Sequence, residues 1–212
     1  MAMLSSTDID GIVEDFKGMD GHQISDYYQK WASTYDQDFV GGEYHGHERV
    51  AEAILGCLEG REGRVLDICA GTGELGRLLH AGGFRQLEAL DVSLAMLQQA
   101  EAKAVYQAFY ALWLQPEQPC PLAGDQYDVV ACAGGFVAGH LKPATLAEFI
   151  RLTKPGGYIV FGANDQYKEA EVGLDQVVRE FEKAGKWELV KSEQVAHWIA
   201  ERHGQIYVCR KR

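Results

Sequence analysis

The chain has 212 residues, 47% of them hydrophobic and 24% charged, and carries a net charge of −11. That length and apolar content fit a single globular domain with a substantial core. The acidic balance excludes the basic footprint that a nucleic-acid backbone requires, and it disfavours anionic membrane surfaces.

Residues 1–48 hold ten acids against only Lys17 and Lys30, so most of the charge lies in the first quarter of the chain. This stretch is expected to form an acidic arm and helical cap, with residues 49–212 forming the core. Residues 1–24 are acidic and punctuated by glycine, and read as an arm. Over 25–36 the aromatics Tyr28, Trp31 and Tyr35 recur at spacings of three and four, a helical stripe. A second helix over 48–58 places Val50, Ala53, Ile54 and Cys57 on one face.

The pattern then alternates. A strand over 64–68 leads through a glycine-rich turn to a helix over 74–81. A strand over 87–91 precedes Ser93, the expected N-cap of a helix over 94–104. A third strand covers 105–112, and a loop with Pro116, Pro119 and Pro121 leads to a fourth over 127–133. A helix over 144–153 ends in Lys154-Pro155-Gly156-Gly157, read as a turn before a fifth strand over 158–161. A helix over 169–184 and two strands over 187–195 and 205–210 complete the chain, the last two joined as a long hairpin. Short apolar strands with helical crossovers imply a parallel sheet covered on both faces. The expected architecture is α/β, three-layered and doubly wound. Its mostly parallel seven-stranded sheet carries one antiparallel strand near an edge. Ligands of such sheets bind at the C-terminal strand ends, where strand order reverses.

The strongest motif is Val65-Leu66-Asp67-Ile68-Cys69-Ala70-Gly71-Thr72-Gly73. Glycines at a strand-to-helix turn let backbone approach a ligand closely and expose N–H groups. Asp91 follows 18 residues beyond Gly73, at the end of the second strand. A carboxylate there can accept both hydroxyls of a ribose. Gly71, Gly73 and Gly76 also satisfy the dinucleotide fingerprint, so a nicotinamide-dependent reductase is the alternative. Asp67 inside the first strand argues against it, and suits a cationic cofactor or a loop ordered by its carboxylate.

These motifs, with Leu90-Asp91-Val92-Ser93, Met96-Leu97, the Tyr127-Asp128-Val129-Val130 strand opening and Leu152-Thr153-Lys154-Pro155-Gly156-Gly157, resemble the class I S-adenosylmethionine-dependent methyltransferases. The segments LDICAGTG, YKEAEV and KAGKWE are similar to the methyltransferase-like proteins of the Williams–Beuren syndrome chromosomal region. The resemblance implies an S-adenosylmethionine site, with S-adenosylhomocysteine as product. It implies Asp91 and Val92 at the ribose, and Asp67, Cys69, Ala70, Gly71 and Gly73 around the methionine end. Met96, Leu112 and Trp113 would lie near adenine, with Ala133 at the end of strand four and Tyr28 and Tyr35 as a lid. Two departures stand out. The family's usual Gly-Cys is Cys69-Ala70 here, tolerable where the backbone needs no positive φ. The family's adenine-binding Asp is missing from Ala111-Leu112-Trp113-Leu114, so Trp113 is either an adenine platform or a core filler.

A methyl donor needs positioning and dryness more than acid–base help, and a base only where the nucleophile is protonated. His140, after strand four, is the candidate base. His45 and His47 read as a solvated loop, and no metal site is expected. Ala133-Gly134-Gly135-Phe136 lacks the Asn/Asp-Pro-Pro motif of adenine and glutamine methylation. The expected acceptor is therefore a small molecule, methylated on O, N or S. A methyltransferase fold that binds cofactor without catalysis is the other alternative. Five widely spaced cysteines, no basic leader and no long apolar run indicate a cytoplasmic monomer or homodimer without nucleic-acid or membrane partners.

Overall fold

The computed structural model describes residues 15–16, 18–39, 44–116, 118–137, 139–165, 167, 173–199 and 201–212. Most of the expected arm, and the start of the helix expected over 169–184, lie outside these residues.

The strands are β1 (Arg64–Ile68), β2 (Gln86–Asp91), β3 (Ala108–Ala111), β4 (Tyr127–Phe136), β5 (Thr153–Asn164), β6 (Trp187–Ile199) and β7 (Arg202–Lys211). They form one sheet in the order β3-β2-β1-β4-β5-β7-β6. Neighbours from β3 to β5 pair in parallel, and β7 runs antiparallel to both β5 and β6. Strand order reverses between β1 and β4. The helices are α1 (Gly21–Trp31), α2 (Tyr35–Asp38), α3 (Gly46–Cys57), α4 (Glu74–Ala81), α5 (Leu94–Ala102), α6 (Leu146–Leu152) and α7 (Leu174–Lys183).

Successive side chains leave a strand on opposite faces, so each central strand feeds two cores. Leu66 and Val130 join Phe149 of α6 and Val178 of α7 on one side. Val65 and Val129 join Val50 and Ile54 of α3 and Leu75 and Leu79 of α4 on the other. This double burial explains why β1 reads as a nearly unbroken apolar run.

Several boundaries differ from the sequence reading, each for a local reason. The first helix starts at Gly21 because Asp20 caps it. The Asp20 carboxylate accepts from His22 and Gln23 N–H, and the Gln23 side chain accepts from Asp20 N–H. The aromatic stripe is not one helix but two. Trp31 Nε1 and Thr34 Oγ1 both donate to Asp38 Oδ2, at 2.6 and 3.0 Å, and bend the chain between α1 and α2. The Lys154–Gly157 turn is a bulge inside β5. Tyr127 pairs with Thr153 but Val129 pairs with Tyr158, so the extra residues loop out, with Gly156 at φ 78°. The third strand is shorter than read, and the fourth longer. The last two strands meet in a tight hairpin, with Ile199 opposite Arg202. Trp198 draws that end onto the sheet. A Cβ at Gly162 or Gly204 would come within 2.0 or 2.6 Å of its indole.

Candidate functional site

A cleft of about 760 Å³ opens at the C-terminal ends of β1 and β2, beside the switch point. The turn after β1 winds tightly, with Cys69, Gly71 and Gly73 all left-handed (φ 56°, 54° and 87°). Cys69 therefore fails the condition under which its replacement of glycine costs nothing. A non-glycine residue there stores on the order of 1–3 kcal/mol. At Gly71 an added Cβ would meet nothing within 4 Å, so bare backbone faces the cavity.

Asp91 ends β2 with both carboxylate oxygens engaged. Oδ2 accepts from Gly71 N–H at 2.9 Å and Oδ1 from Ser93 N–H at 2.8 Å. Burial pushes its pKa up, and these backbone N–H groups pull it back. Asp91 lines the cleft, and a carboxylate oxygen can accept more than one hydrogen bond. Ser93 caps α5 by accepting from Met96 N–H at 3.4 Å, which anchors the acid's far side.

Asp67 and Gly73 do not line the cleft. Asp67 Oδ2 accepts from Tyr106 Oη at 2.6 Å, and Tyr106 Oη accepts from Gly76 N–H at 3.0 Å. The carboxylate thus orders the loop through Tyr106 and not by accepting loop N–H groups itself. Burial raises its pKa to about 7, against the Tyr106 hydrogen bond that lowers it. A Cβ at Gly73 or Gly76 would lie 2.8 or 2.1 Å from the Tyr106 ring. Gly73, where a dinucleotide needs open backbone for its pyrophosphate, is therefore closed by a ring, which counts against a dinucleotide; packing at Gly76 does not discriminate.

The cap closes one side. Tyr28 and Tyr35 pack with Ala32, Ala95 and Met96. Ser25 Oγ donates to Val92 O at 3.3 Å. Asp36 accepts from Thr72 Oγ1 and from Lys103 Nζ at 2.8 Å, and Lys103 also donates to Thr72 O at 2.7 Å. Trp113 is 40% exposed and lies over Gly21, where a Cβ would come within 2.2 Å of its ring. It is a cap contact on the cleft rim, not a core filler. His140 Nε2 lies 2.9 Å from Tyr28 Oη.

The cleft brings together Tyr28, Tyr35, Cys69, Ala70, Gly71, Asp91, Val92, Met96, Leu112, Trp113 and His140. Ala133 lies instead in an adjoining cavity. Ile24, His47, Thr72 and Gly134 also line the cleft without having been singled out as binders. His47 is not in a solvated loop. It is the second residue of α3, and burial lowers its pKa to about 4, leaving it neutral. Its signal was present: His47 precedes buried Val50, Ala51 and Ile54 by one and two helical turns.

These residues fit a nucleoside with a cationic tail. The Asp91 carboxylate lines the cleft, bare backbone faces the cavity at Gly71, and apolar Met96 and Leu112 line it as well. Among the described residues, no Lys or Arg lines the cleft to repel a sulfonium.

A family model described as a methyltransferase domain matches residues 65–157. Human methyltransferase-like protein 27 is 32% identical over 169 residues, covering 76% of this chain and 67% of its own length. The putative methyltransferase YqeM of Bacillus subtilis is 32% identical over 155 residues, covering 70% of this chain and 60% of its own. The chain thus spans about two thirds or less of these relatives. Among solved structures, magnesium protoporphyrin IX methyltransferase of Synechocystis with bound S-adenosylmethionine superimposes with a TM-score of 0.67. That match has 16% identity and covers 92% of this chain and 99% of the other. The glycine loop, the acid after β2 and the kinship with a human methyltransferase-like protein agree: this chain belongs to the class I S-adenosylmethionine-dependent methyltransferases.

Proposed function

We propose that the protein moves a methyl group from S-adenosylmethionine to an O, N or S nucleophile of a small molecule, with the 760 Å³ cleft as its donor site. The observation that carries this reading is the Asp91 carboxylate, buried, pinned by Gly71 and Ser93 N–H and lining the cleft. Asp91 would hold the ribose hydroxyls. The Cys69–Gly71 backbone would follow the methionine end, with Asp67 and Gly73 supporting it from beneath. Val92, Met96, Leu112 and Trp113 would flank adenine, Tyr28 and Tyr35 would close over the site, and Ala133 would face the acceptor side.

When bound, the cofactor supplies an activated methyl group. The chain's own task is to align an acceptor and exclude water. Burial holds the Tyr28 hydroxyl far above its ordinary pKa, so it stays protonated, and it shares a 2.9 Å hydrogen bond with His140 Nε2 whose direction follows the imidazole tautomer. A proton leaving an acceptor beside Tyr28 therefore has a short path to the imidazole. We take residues 1–48 as arm and cap and 49–212 as core. We place the protein in the cytoplasm as a monomer or homodimer, without nucleic-acid or membrane partners. Among the described residues, no helix is long and apolar enough to cross a membrane.

Calorimetry with S-adenosylmethionine and S-adenosylhomocysteine, followed by a labelled-methyl assay on a metabolite extract, tests the proposal. Micromolar binding and a labelled small molecule are expected. Absence of binding would overturn the donor site. Binding without turnover would favour a cofactor-binding protein that has lost catalysis.

A further inference from the structure

A second cavity of about 620 Å³ adjoins the cleft, and the two share Tyr28, Tyr35 and Gly134. We propose that this cavity is the acceptor subsite and selects a planar, uncharged aromatic compound bearing a hydroxyl; the assignment rests on reading the neighbouring cleft as the donor site.

Its wall is a continuous relay of rings. Phe16 stacks on Tyr28 with centroids 5.6 Å apart, and Tyr28 on Trp31 at 6.1 Å. Trp31 meets Tyr35 at 4.7 Å, and Tyr35 meets Phe39 at 4.9 Å. Phe39 meets Tyr44, and Tyr44 meets Trp198, each at 6.0 Å. Ala133, Gly134 and Gly162, from the ends of β4 and β5, leave the floor low. Trp198 is locked across Gly162 and Gly204, so the relay ends on a fixed ring.

Among the described residues, no Asp, Glu, Lys or Arg lines this cavity. A charged acceptor would lose its hydration there without a counter-ion. Tyr28 already turns its faces in part to Phe16 and Trp31, at interplanar angles of 21° and 12°. Trp31–Tyr35 and Tyr44–Trp198 meet edge to face, at 67° and 74°. Electropositive ring edges receive the π face of another ring in preference to a cation. The polar atoms are few. Tyr44 Oη is committed to Ala133 O at 2.8 Å. Asn164 Oδ1 accepts from Tyr167 N–H at 2.8 Å, which leaves its amide N–H groups for a ligand oxygen. Tyr28 stands at the seam between the cavities, where a hydroxyl would be presented, with its partner His140 on the cleft side.

The test is calorimetry on the whole chain saturated with S-adenosylhomocysteine, using naphthol, naphthoate and trimethyl(phenyl)ammonium as probes. Naphthol is expected to bind about tenfold or more tighter than either ion. Val137→Trp and Ile199→Trp fill the second cavity from walls that the donor cleft does not share. Each should weaken naphthol by about tenfold while the affinity for S-adenosylhomocysteine stays within about threefold. An ion binding as tightly as naphthol, or naphthol binding untouched by both variants, would overturn the inference. S-adenosylhomocysteine binding with no naphthol binding would overturn the acceptor subsite alone. Variant-sensitive naphthol binding by a chain that does not take S-adenosylhomocysteine would support the aromatic pocket and overturn the donor reading.

Discussion

Asp91→Ala removes the side chain on which the donor site depends, and its effect can be sized. Two ribose hydroxyls on a carboxylate are charge-assisted hydrogen bonds, worth about 1.5–3 kcal/mol each. Losing both weakens binding by about 3–6 kcal/mol, or roughly 100-fold to 10,000-fold in Kd. Water entering the vacated space brings the expected value toward the lower end. The same change orphans two backbone donors. Gly71 N–H faces the cleft and can turn to water, but Ser93 is fully buried. The unpaired Ser93 N–H costs about 1–3 kcal/mol of stability. Calorimetry with S-adenosylhomocysteine must therefore run beside a thermal melt, so that affinity is read only on folded protein. Asp91→Asn keeps the shape and one acceptor oxygen, and should fall between the variant and the wild type. A folded Asp91→Ala protein whose Kd lies within about threefold of wild type would refute the role of the carboxylate.

Three further outcomes follow from the geometry. Asp67 ionises at its ordinary 3.8 when unfolded but near 7 when folded, so between those values the folded chain keeps a proton the unfolded chain releases. Stability should fall as pH rises from about 4 to 7 and then level, by at most on the order of 4 kcal/mol. Asp67→Asn should flatten that stretch of a urea-denaturation series, and an unchanged slope would count against the assignment. Gly204→Ala drives a Cβ into buried Trp198 and should cost about 1–3 kcal/mol in chemical denaturation. Wild-type stability would mean the indole is not wedged there. His140→Ala and Tyr28→Phe should each lower methyl transfer by about 100-fold with little change in donor affinity, measured with the labelled-methyl assay. Full turnover in both would remove the proton path.

The glycine turn and the acid after β2 were legible because their signals are local. A strand, a glycine turn, a helix and an acid at the next strand end lie within 65–91, and hydrophobic pattern fixes them. What the spacing of glycines cannot tell is which way each one faces. Gly71 opens to the cavity while Gly73 and Gly76 are filled by Tyr106, a ring 30 residues from Gly76. The aromatic relay was only half legible. Tyr28, Trp31 and Tyr35 announced themselves by period, but Tyr44 reaches Ala133 across 89 residues. Trp198 is placed by glycines on two other strands, and no pattern near it reveals them. Glu88 illustrates the same limit in the core. An acid inside an apolar strand is tolerated because Arg64, Tyr110 and Tyr127 all donate to it.

α5 begins at Ser93, which holds Asp91, and its C-cap is Lys103, which holds Asp36 of the cap. Nine helical residues make a stiff rod of roughly 14 Å. One end of that rod is at the Asp91 carboxylate and the other at the Asp36 contact with the cap. On the proposed reading, the acid that would hold the donor and the contact that holds the cap share one short helix as their common support.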